Sequence, residues 1–208
     1  MIQPNIPETT QPRIVIVGGG FGGVNLAKQL RHAPLQIVLL DRNNYHLFQP
    51  LLYQVSTAGL EPDSIAFPLR GIFRKQHNLV CRMAEVTGLR AAENILETGI
   101  GEIHYDYLVF ATGSNTNFFG NKAIEENAIG MKSLIEAVQI RNYVVKQFEE
   151  SLLLQNPEEI KPKLNFVMVG GGPTGVELAG AFADLRPSLL PPAYPDLPTS
   201  LMNVYLIE

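Results

Sequence analysis

Two glycine-rich segments, Gly18 to Gly23 and Gly170 to Gly175, each follow a short apolar run in this chain. The runs, Arg13 to Val17 and Asn165 to Val169, have the composition of strands buried on both faces of a parallel sheet. Both glycine segments have the spacing G-x-G-x-x-G. Between a strand and a helix this spacing permits a tight turn and close approach of the backbone to a pyrophosphate, which the N–H groups of the helix N-terminus can bind. Two copies indicate an α/β chain with two nucleotide sites.

The first copy has the surroundings that give the pattern its meaning. Phe21 to His32 predicts a helix, and Gln36 to Leu40 predicts a second buried strand that ends on an acid, Asp41. In such a unit the acid lies where a carboxylate accepts hydrogen bonds from the adenosine ribose. We therefore expect Asp41 to bind the ribose.

The second copy predicts a helix over Val176 to Leu185 and a strand over Met202 to Ile207, ending on Glu208. A proline-rich insertion places this acid later than the usual spacing of about twenty residues. Either Glu208 binds a ribose or it is a strand-end acid that faces solvent. A ribose-binding carboxylate would repel a 2′-phosphate, which favours NADH over NADPH.

Composition limits the other classes of function. The net charge of −4 argues against a nucleic-acid partner. Cys81 is the only cysteine, and the four histidines show no spacing typical of metal ligands, so we expect neither a disulfide framework nor a metal site. We interpret the histidines as surface or hydrogen-bonded residues, with His46 the least certain. The sequence has neither an apolar run of membrane-spanning length nor the pattern of a secretion signal, so we expect neither in this piece.

The segments between the two copies predict further elements. The aromatic and amide-rich residues 42–60 could line a pocket for a flat ring system. The sequence also predicts a short helix over Pro62 to Phe73 and a small antiparallel meander over Leu79 to Tyr105. A buried strand is predicted from Tyr107, finishing in the small-residue turn Ala111 to Gly113, and Lys132 to Leu154 predicts either one long helix or two short ones.

Three segments together resemble the two-dinucleotide-binding flavoproteins, and within them the type II NADH dehydrogenases. The segments are Asp41 to Val55 (DRNNYHLFQPLLYQV), Asp106 to Ser114 with the later Asn117 to Gly120, and Gly170 to Glu177 (GGGPTGVE). The first is fairly specific to the type II enzymes, whereas the other two are shared more widely among related reductases.

The resemblance implies a Rossmann-like FAD-binding fold with an antiparallel β insertion, followed by the first βαβ unit of a second, truncated Rossmann-like fold for NADH. The implied division is residues 1–115 for FAD, 116–163 as a connecting helical region and 164–208 for NADH. The implied reaction passes a hydride from NADH to FAD and then two electrons to a quinone, without charge translocation. It also implies a peripheral enzyme on the cytoplasmic face of a membrane, attached through C-terminal segments absent here, and allows a homodimer.

The resemblance assigns cofactor contacts to residues of the glycine segments, the strand ends and the aromatic segment. For FAD these are Gly18, Gly20, Phe21, Gly22 and Gly23 at the pyrophosphate, Asp41 and Arg42 at the adenosine, the backbone of Val86 at the adenine, Gln49 near the flavin, and Ala111, Thr112 and Gly113 along the central stretch. For NADH they are Gly170, Gly172, Pro173, Thr174, Gly175 and Glu208.

The resemblance also implies a catalytic role for Glu177, near the nicotinamide, flavin and quinone. Its spacing predicts a place in the first turn of the second helix, where the helix dipole stabilises a carboxylate. The alternative is a helix N-terminal acid without a catalytic role.

Other functions remain open. Disulfide reductases and sulfide:quinone reductases of this fold use additional cysteines, so a single Cys81 argues against both. Ferredoxin and rubredoxin reductases are not separated from a quinone reductase by these residues. Since relatives continue beyond the point equivalent to Glu208, we expect a fragment of a longer enzyme or a reduced protein. The alternative to an enzyme is therefore a module that binds nucleotides without catalytic turnover.

Overall fold

The computed structural model describes residues 3–208 of the protein. The chain forms two compact units. The first contains the residues up to Leu47 together with Ala66–Asn115, and the second contains Phe48–Ile65 together with Thr116–Glu208.

The described residues form eleven strands and eight α-helices. The strands are β1 Arg13–Val17, β2 Gln36–Asp41, β3 Tyr45–Leu47, β4 Ala66–Pro68, β5 Leu79–Met83, β6 Val86–Arg90, β7 Ile95–Thr98, β8 Gly101–His104, β9 Tyr107–Phe110, β10 Asn165–Val169 and β11 Asn203–Ile207. The helices are α1 Phe21–Gln29, α2 Leu52–Ser56, α3 Leu69–Ile72, α4 Lys122–Asn127, α5 Leu134–Leu152, α6 Pro157–Ile160, α7 Pro173–Ser188 and α8 Leu190–Ala193.

A four-stranded parallel sheet, in the order β5-β2-β1-β9, organises the first unit. Successive side chains of a strand point to opposite faces, so β1 and β2 contribute to two cores. Ile16 and Leu39 pack with Val24 of α1 on one face, whereas Val15 and Leu40 pack on the other. Burial on both faces explains why these strands are apolar at almost every position.

The antiparallel insertion is smaller than the sequence predicts. Strands β6, β7 and β8 form the meander, with Asn94 in the left-handed region at the β6–β7 turn. Leu79–Met83, expected to belong to the meander, instead pairs in parallel with β2. The prediction was wrong for this strand because a short apolar run does not reveal which neighbour it pairs with.

The predicted helix over Pro62 to Phe73 was also wrong in most of its length. Pro62–Ser64 is a 3-10 turn, Ala66–Pro68 is the strand β4, and only Leu69–Ile72 is α-helical. Strand β4 pairs with β3 in a two-stranded antiparallel sheet within the first unit. Pairing with β3 therefore overrides the local helical preference.

In the second unit, β10 and β11 form a parallel pair against which α7 packs. The long helix α5 begins with a reciprocal cap, in which the Ser133 hydroxyl accepts from the Glu136 N–H and the Glu136 carboxylate accepts from the Ser133 N–H. Phe148 of α5, Phe166 of β10 and Phe182 of α7 meet in the core. Within residues 3–208, no helix is both long and apolar enough to span a membrane.

Candidate functional site

The first glycine turn joins β1 to α1. Gly18 has a φ of +113°, a conformation that side chains disfavour, and its N–H donates to the Leu40 carbonyl at 2.7 Å. A Cβ atom on Gly18 would also overlap the backbone carbonyl of Ala111. The first glycine is therefore required by the turn and by the strand end next to it.

The second and third glycines of the G-x-G-x-x-G pattern, Gly20 and Gly23, differ in their surroundings. A Cβ atom on Gly23 would overlap the Gly18 carbonyl oxygen, so Gly23 allows α1 to lie close to the turn. A Cβ atom on Gly20 would have no atom within 4 Å, and Gly20 has an ordinary φ of −74°. Nothing described in the unit needs a glycine at position 20, whereas a ligand that approaches the backbone would.

The second turn, between β10 and α7, repeats this geometry. Gly170 has a φ of +109°, and its N–H donates to the Ile207 carbonyl at 2.7 Å. A Cβ atom on Gly175 would overlap the Gly170 carbonyl, whereas Gly172 is open, with no atom within 4 Å of a Cβ. Gly20 and Gly172 are also the N-caps of α1 and α7, and neither helix has a side-chain cap at this end. The first-turn N–H groups of each helix have no intrahelical acceptor, which suits an anion.

The two acids occupy equivalent positions. In the register of each pair, Val17 lies opposite Leu40 and Val169 lies opposite Ile207, so Asp41 and Glu208 each follow the residue paired with the end of the first strand. The additional residues before Glu208 form the end of α7, α8 and a 3-10 turn. Although Glu208 comes later in its sequence segment than Asp41 does, the two acids therefore have the same position relative to their glycine turns.

The Gly19 backbone is held on both sides. Its N–H donates to Asp41 Oδ2 at 2.6 Å, and its carbonyl oxygen lies 2.9 Å from His46 Nδ1. The His46 ring also contacts the Phe21 ring edge to face, with 5.0 Å between the ring centroids. Asp41 Oδ1 accepts in addition from the Asn43 N–H at 2.7 Å. The sequence interpretation allowed a hydrogen-bonded His46 but did not predict Gly19 as its partner.

Tyr45 is a second neighbour of Asp41 that the sequence did not single out. Burial, and then the negative charge of Asp41, raise the pKa of the Tyr45 phenol above its ordinary value. Tyr45 therefore keeps its proton at neutral pH.

The end of β9 lies against the first glycine turn. Ala111 donates its N–H to the Val17 carbonyl at 2.7 Å, and a Cβ atom on Gly22 would lie 3.7 Å from the Ala111 Cβ. The next two residues, Thr112 and Gly113, are exposed, and Gly113 has a φ of +70°. These residues share one end of the parallel sheet with the glycine turn.

Three further predicted cofactor residues lie on different elements. Arg42 is exposed, with its guanidinium 4.0 Å from the Glu85 carboxylate, and the half-buried Val86 begins β6. Gln49 is exposed in a 3-10 turn that belongs to the second unit.

Glu177 does not lie in the first turn of its helix. The helix begins at Pro173, earlier than the predicted Val176, so Glu177 is its fifth residue and Pro173 and Thr174 occupy the first turn. The effect of the helix dipole decreases beyond the first turn, so this part of the argument for Glu177 was wrong. Its side chain is exposed.

Among residues 3–208, no group of three or more histidine, cysteine, aspartate or glutamate side chains is arranged to hold a metal ion. Cys81 is buried in β5, and burial raises the pKa of its thiol although Arg70 and Arg82 oppose the shift. Its burial and raised pKa make it a structural residue of the sheet.

Two strand–glycine turn–helix–strand units, each followed by an acid, define a protein with two dinucleotide-binding folds. Residues 12–208 match the protein family described as "Pyridine nucleotide-disulphide oxidoreductase". The chain belongs to this family.

Within this family, the chain is similar to several NADH:quinone oxidoreductases. The chain is 38% identical to the type II NADH:quinone oxidoreductase Ndh of Mycobacterium tuberculosis over all of its own length and 46% of the relative. It is 34% identical to an external alternative NADH-ubiquinone oxidoreductase of Yarrowia lipolytica, over 91% of the chain and 35% of the relative. A solved structure of NDH2 from Plasmodium falciparum in complex with NADH superimposes with a TM-score of 0.87 at 27% identity, over 95% of the chain and 42% of that structure. The resemblance and the predicted fold class are confirmed, and the chain spans less than half the length of these relatives.

Proposed function

We propose that this chain is the dinucleotide-binding portion of an FAD-dependent NADH:quinone oxidoreductase. The observation that carries the proposal is the repeated turn with an open middle glycine and a strand-end acid at the same register. The names of the relatives, type II NADH:quinone oxidoreductase and alternative NADH-ubiquinone oxidoreductase, support the choice of donor and acceptor.

The residues of the first unit fit an FAD. Gly20 leaves the backbone accessible, and Asp41 retains acceptor capacity beyond its two backbone hydrogen bonds because each carboxylate oxygen has a second lone pair. In the proposal Gly18 to Gly23 bind the pyrophosphate. Three further sites complete the FAD contacts proposed for this unit: Asp41 with Arg42 at the adenosine, Val86 at the adenine, and Ala111 to Gly113 along the central stretch.

The residues of the second unit fit an NADH. Gly172 leaves the helix N-terminus open, and Glu208 has the position that Asp41 has in the first unit. A carboxylate there accepts hydrogen bonds from a ribose diol and repels a 2′-phosphate, so we propose a preference for NADH over NADPH. Gly170, Pro173, Thr174 and Gly175 complete the proposed pyrophosphate site.

When bound, the two cofactors supply the redox chemistry: the flavin takes a hydride from NADH and gives two electrons to a quinone. The chain's contribution is to hold each cofactor by backbone N–H groups and to exclude a phosphorylated ribose. Glu177 is proposed as the residue that positions the nicotinamide or delivers a proton, since its exposed carboxylate lies on the helix that the second turn opens.

The proposal extends to the setting of the whole protein. We propose a peripheral association with the cytoplasmic face of a membrane, made by segments outside these 208 residues, and a homodimer as the assembly. The division into residues 1–115 for FAD, 116–163 as connector and 164–208 for NADH is also part of the proposal.

The visible absorption spectrum of the purified protein, supplied with FAD and recorded before and after anaerobic addition of NADH, tests this function. The proposal predicts flavin bands that bleach with NADH and return when a soluble quinone is added. Bound flavin that NADH does not bleach would contradict the NADH site, and a protein that binds no flavin would overturn the proposal. Reoxidation by an iron–sulfur protein but not by a quinone would replace the proposed acceptor.

A further inference from the structure

The geometry points to His46 as a positioning residue for the first phosphate-binding turn. We infer that His46, through the Gly19 carbonyl, aims the Gly20 N–H at the dinucleotide phosphate. This inference rests on the proposed FAD function and adds to it a residue that does not itself touch the cofactor.

The argument begins with the peptide that links Gly19 to Gly20. The Gly19 carbonyl and the Gly20 N–H belong to one planar trans peptide, in which they point in opposite directions. His46 Nδ1 lies 2.9 Å from that carbonyl oxygen. Any contact that fixes the carbonyl therefore also fixes the direction of the N–H.

The turn needs such a contact because glycine supplies no stiffness of its own. Gly18, Gly19 and Gly20 follow one another, and each has more backbone freedom than any other residue type. Asp41 holds the preceding peptide through the Gly19 N–H at 2.6 Å. Asp41 and His46 together fix two consecutive peptides before a ligand arrives, which reduces the ordering cost of binding.

The antiparallel pair of β3 and β4 determines where His46 lies. His46 is the central residue of β3 and is paired with Phe67 of β4. Its half-buried ring contacts Phe21, the first residue of α1, with an interplanar angle of 89°. The backbone of His46 is thus held by strand pairing, and its ring packs against the start of α1.

The contact also determines the tautomer of the ring. A carbonyl oxygen can only accept, so Nδ1 must carry the proton and donate it. In the neutral ring Nε2 is then unprotonated. This is a signature of the contact that can be measured without any cofactor.

Among the described residues, no histidine lies in the second unit, which contains the second glycine turn. All four histidines, His32, His46, His77 and His104, belong to the first unit. Removal of the His46 contact should therefore affect the FAD site alone.

Three substitutions of His46 distinguish the contribution of its aromatic ring from that of its hydrogen-bond donor. His46→Phe keeps an aromatic ring near Phe21 and removes the donor, whereas His46→Asn keeps an N–H donor close to the position of Nδ1 and removes the ring. His46→Leu removes both. His77→Phe, at an exposed histidine of the same unit, is the matched control.

The FAD dissociation constant of the apo protein, measured by flavin fluorescence, is the first readout. We expect His46→Phe and His46→Leu to weaken FAD binding about 3- to 10-fold, the range for one hydrogen bond to a backbone group. His46→Asn should remain within about twofold of wild type, as should His77→Phe. Nitrogen-15 NMR of the wild-type apo protein should show that Nδ1 of the His46 ring carries a proton.

The outcomes distinguish the inference from the function on which it rests. A wild-type protein that binds no FAD overturns both. Wild-type FAD binding with an unprotonated Nδ1 on His46, or with His46→Phe as tight as wild type, overturns the role of His46 alone. If His46→Asn binds FAD as weakly as His46→Leu, the ring and not the donor is responsible, which also overturns the inference.

Discussion

One added methyl group should weaken FAD binding at one position of the first glycine turn and lower the stability of the fold at another. Gly20→Ala places a Cβ where no atom lies within 4 Å, on a backbone with a φ of −74° that alanine adopts without strain. Gly23→Ala places a Cβ that overlaps the Gly18 carbonyl oxygen. We therefore expect Gly20→Ala to fold normally and bind FAD poorly, and Gly23→Ala to lose stability.

The magnitudes follow from the surroundings. In a helix an alanine is ordinarily more stable than a glycine by about 0.5–1 kcal/mol. At Gly23 the overlap is with backbone, which cannot move like the end of a flexible side chain, and overpacking costs about 1–3 kcal/mol. We expect a net destabilisation of about 1–2 kcal/mol for Gly23→Ala and a change within about 0.5 kcal/mol for Gly20→Ala.

Denaturant unfolding of the apo proteins measures the stability, and FAD titration measures the binding. Gly172→Ala and Gly175→Ala form the same pair in the second turn, where an added Cβ is free at Gly172 and overlaps the Gly170 carbonyl at Gly175. FAD binding by Gly20→Ala equal to that of wild type would refute a phosphate site at the open face of the turn. Unchanged stability of Gly23→Ala would refute the close packing of α1.

Four other expectations concern single side chains. Glu208→Gln should reduce the ratio of kcat/KM for NADH over NADPH, because it removes a negative charge that repels a 2′-phosphate; equal use of both donors by the wild type would contradict this. Glu177→Gln should slow flavin reduction or reoxidation in stopped-flow traces while FAD stays bound, and unaltered rates for both steps would return it to a structural role. Burial raises the pKa of Glu136, but hydrogen bonds from the Lys132 and Ser133 N–H groups and from the Ser133 hydroxyl outweigh burial and lower this pKa below its ordinary value. The ionised form of Glu136 therefore stabilises the fold above the ordinary carboxyl pKa. The deficit of Glu136→Gln in unfolding free energy should then shrink as pH falls through that lowered pKa, and a deficit independent of pH would exclude the charged cap. Cys81, whose pKa is raised by burial, should react with iodoacetamide only after denaturation, and fast labelling of the native protein would contradict its burial.

Short-range features could be predicted from the sequence because their causes lie within a few residues. The strand Arg13–Val17 has the predicted bounds, and the two glycine turns form where the spacing predicts them. A turn that needs a positive φ at its first residue, as at Gly18 and Gly170, depends on local backbone sterics. The apolar runs likewise report burial on both faces of a sheet wherever that sheet forms.

Strand pairing and side-chain contacts between residues that are distant in the sequence were determined by the tertiary structure. Pairing of Leu79–Met83 with β2 depends on which strand edge is available, and a short apolar run carries no record of that choice. The equivalence of Asp41 and Glu208 follows from strand register, which a count of residues through a proline-rich insertion obscures. The Gly19–His46 contact joins the turn between β1 and α1 to strand β3, across 27 residues of sequence. Local sterics and apolar periodicity therefore determined the nucleotide turns from the sequence alone, whereas the groups that surround them were decided by long-range pairing, because pairing depends on the whole fold.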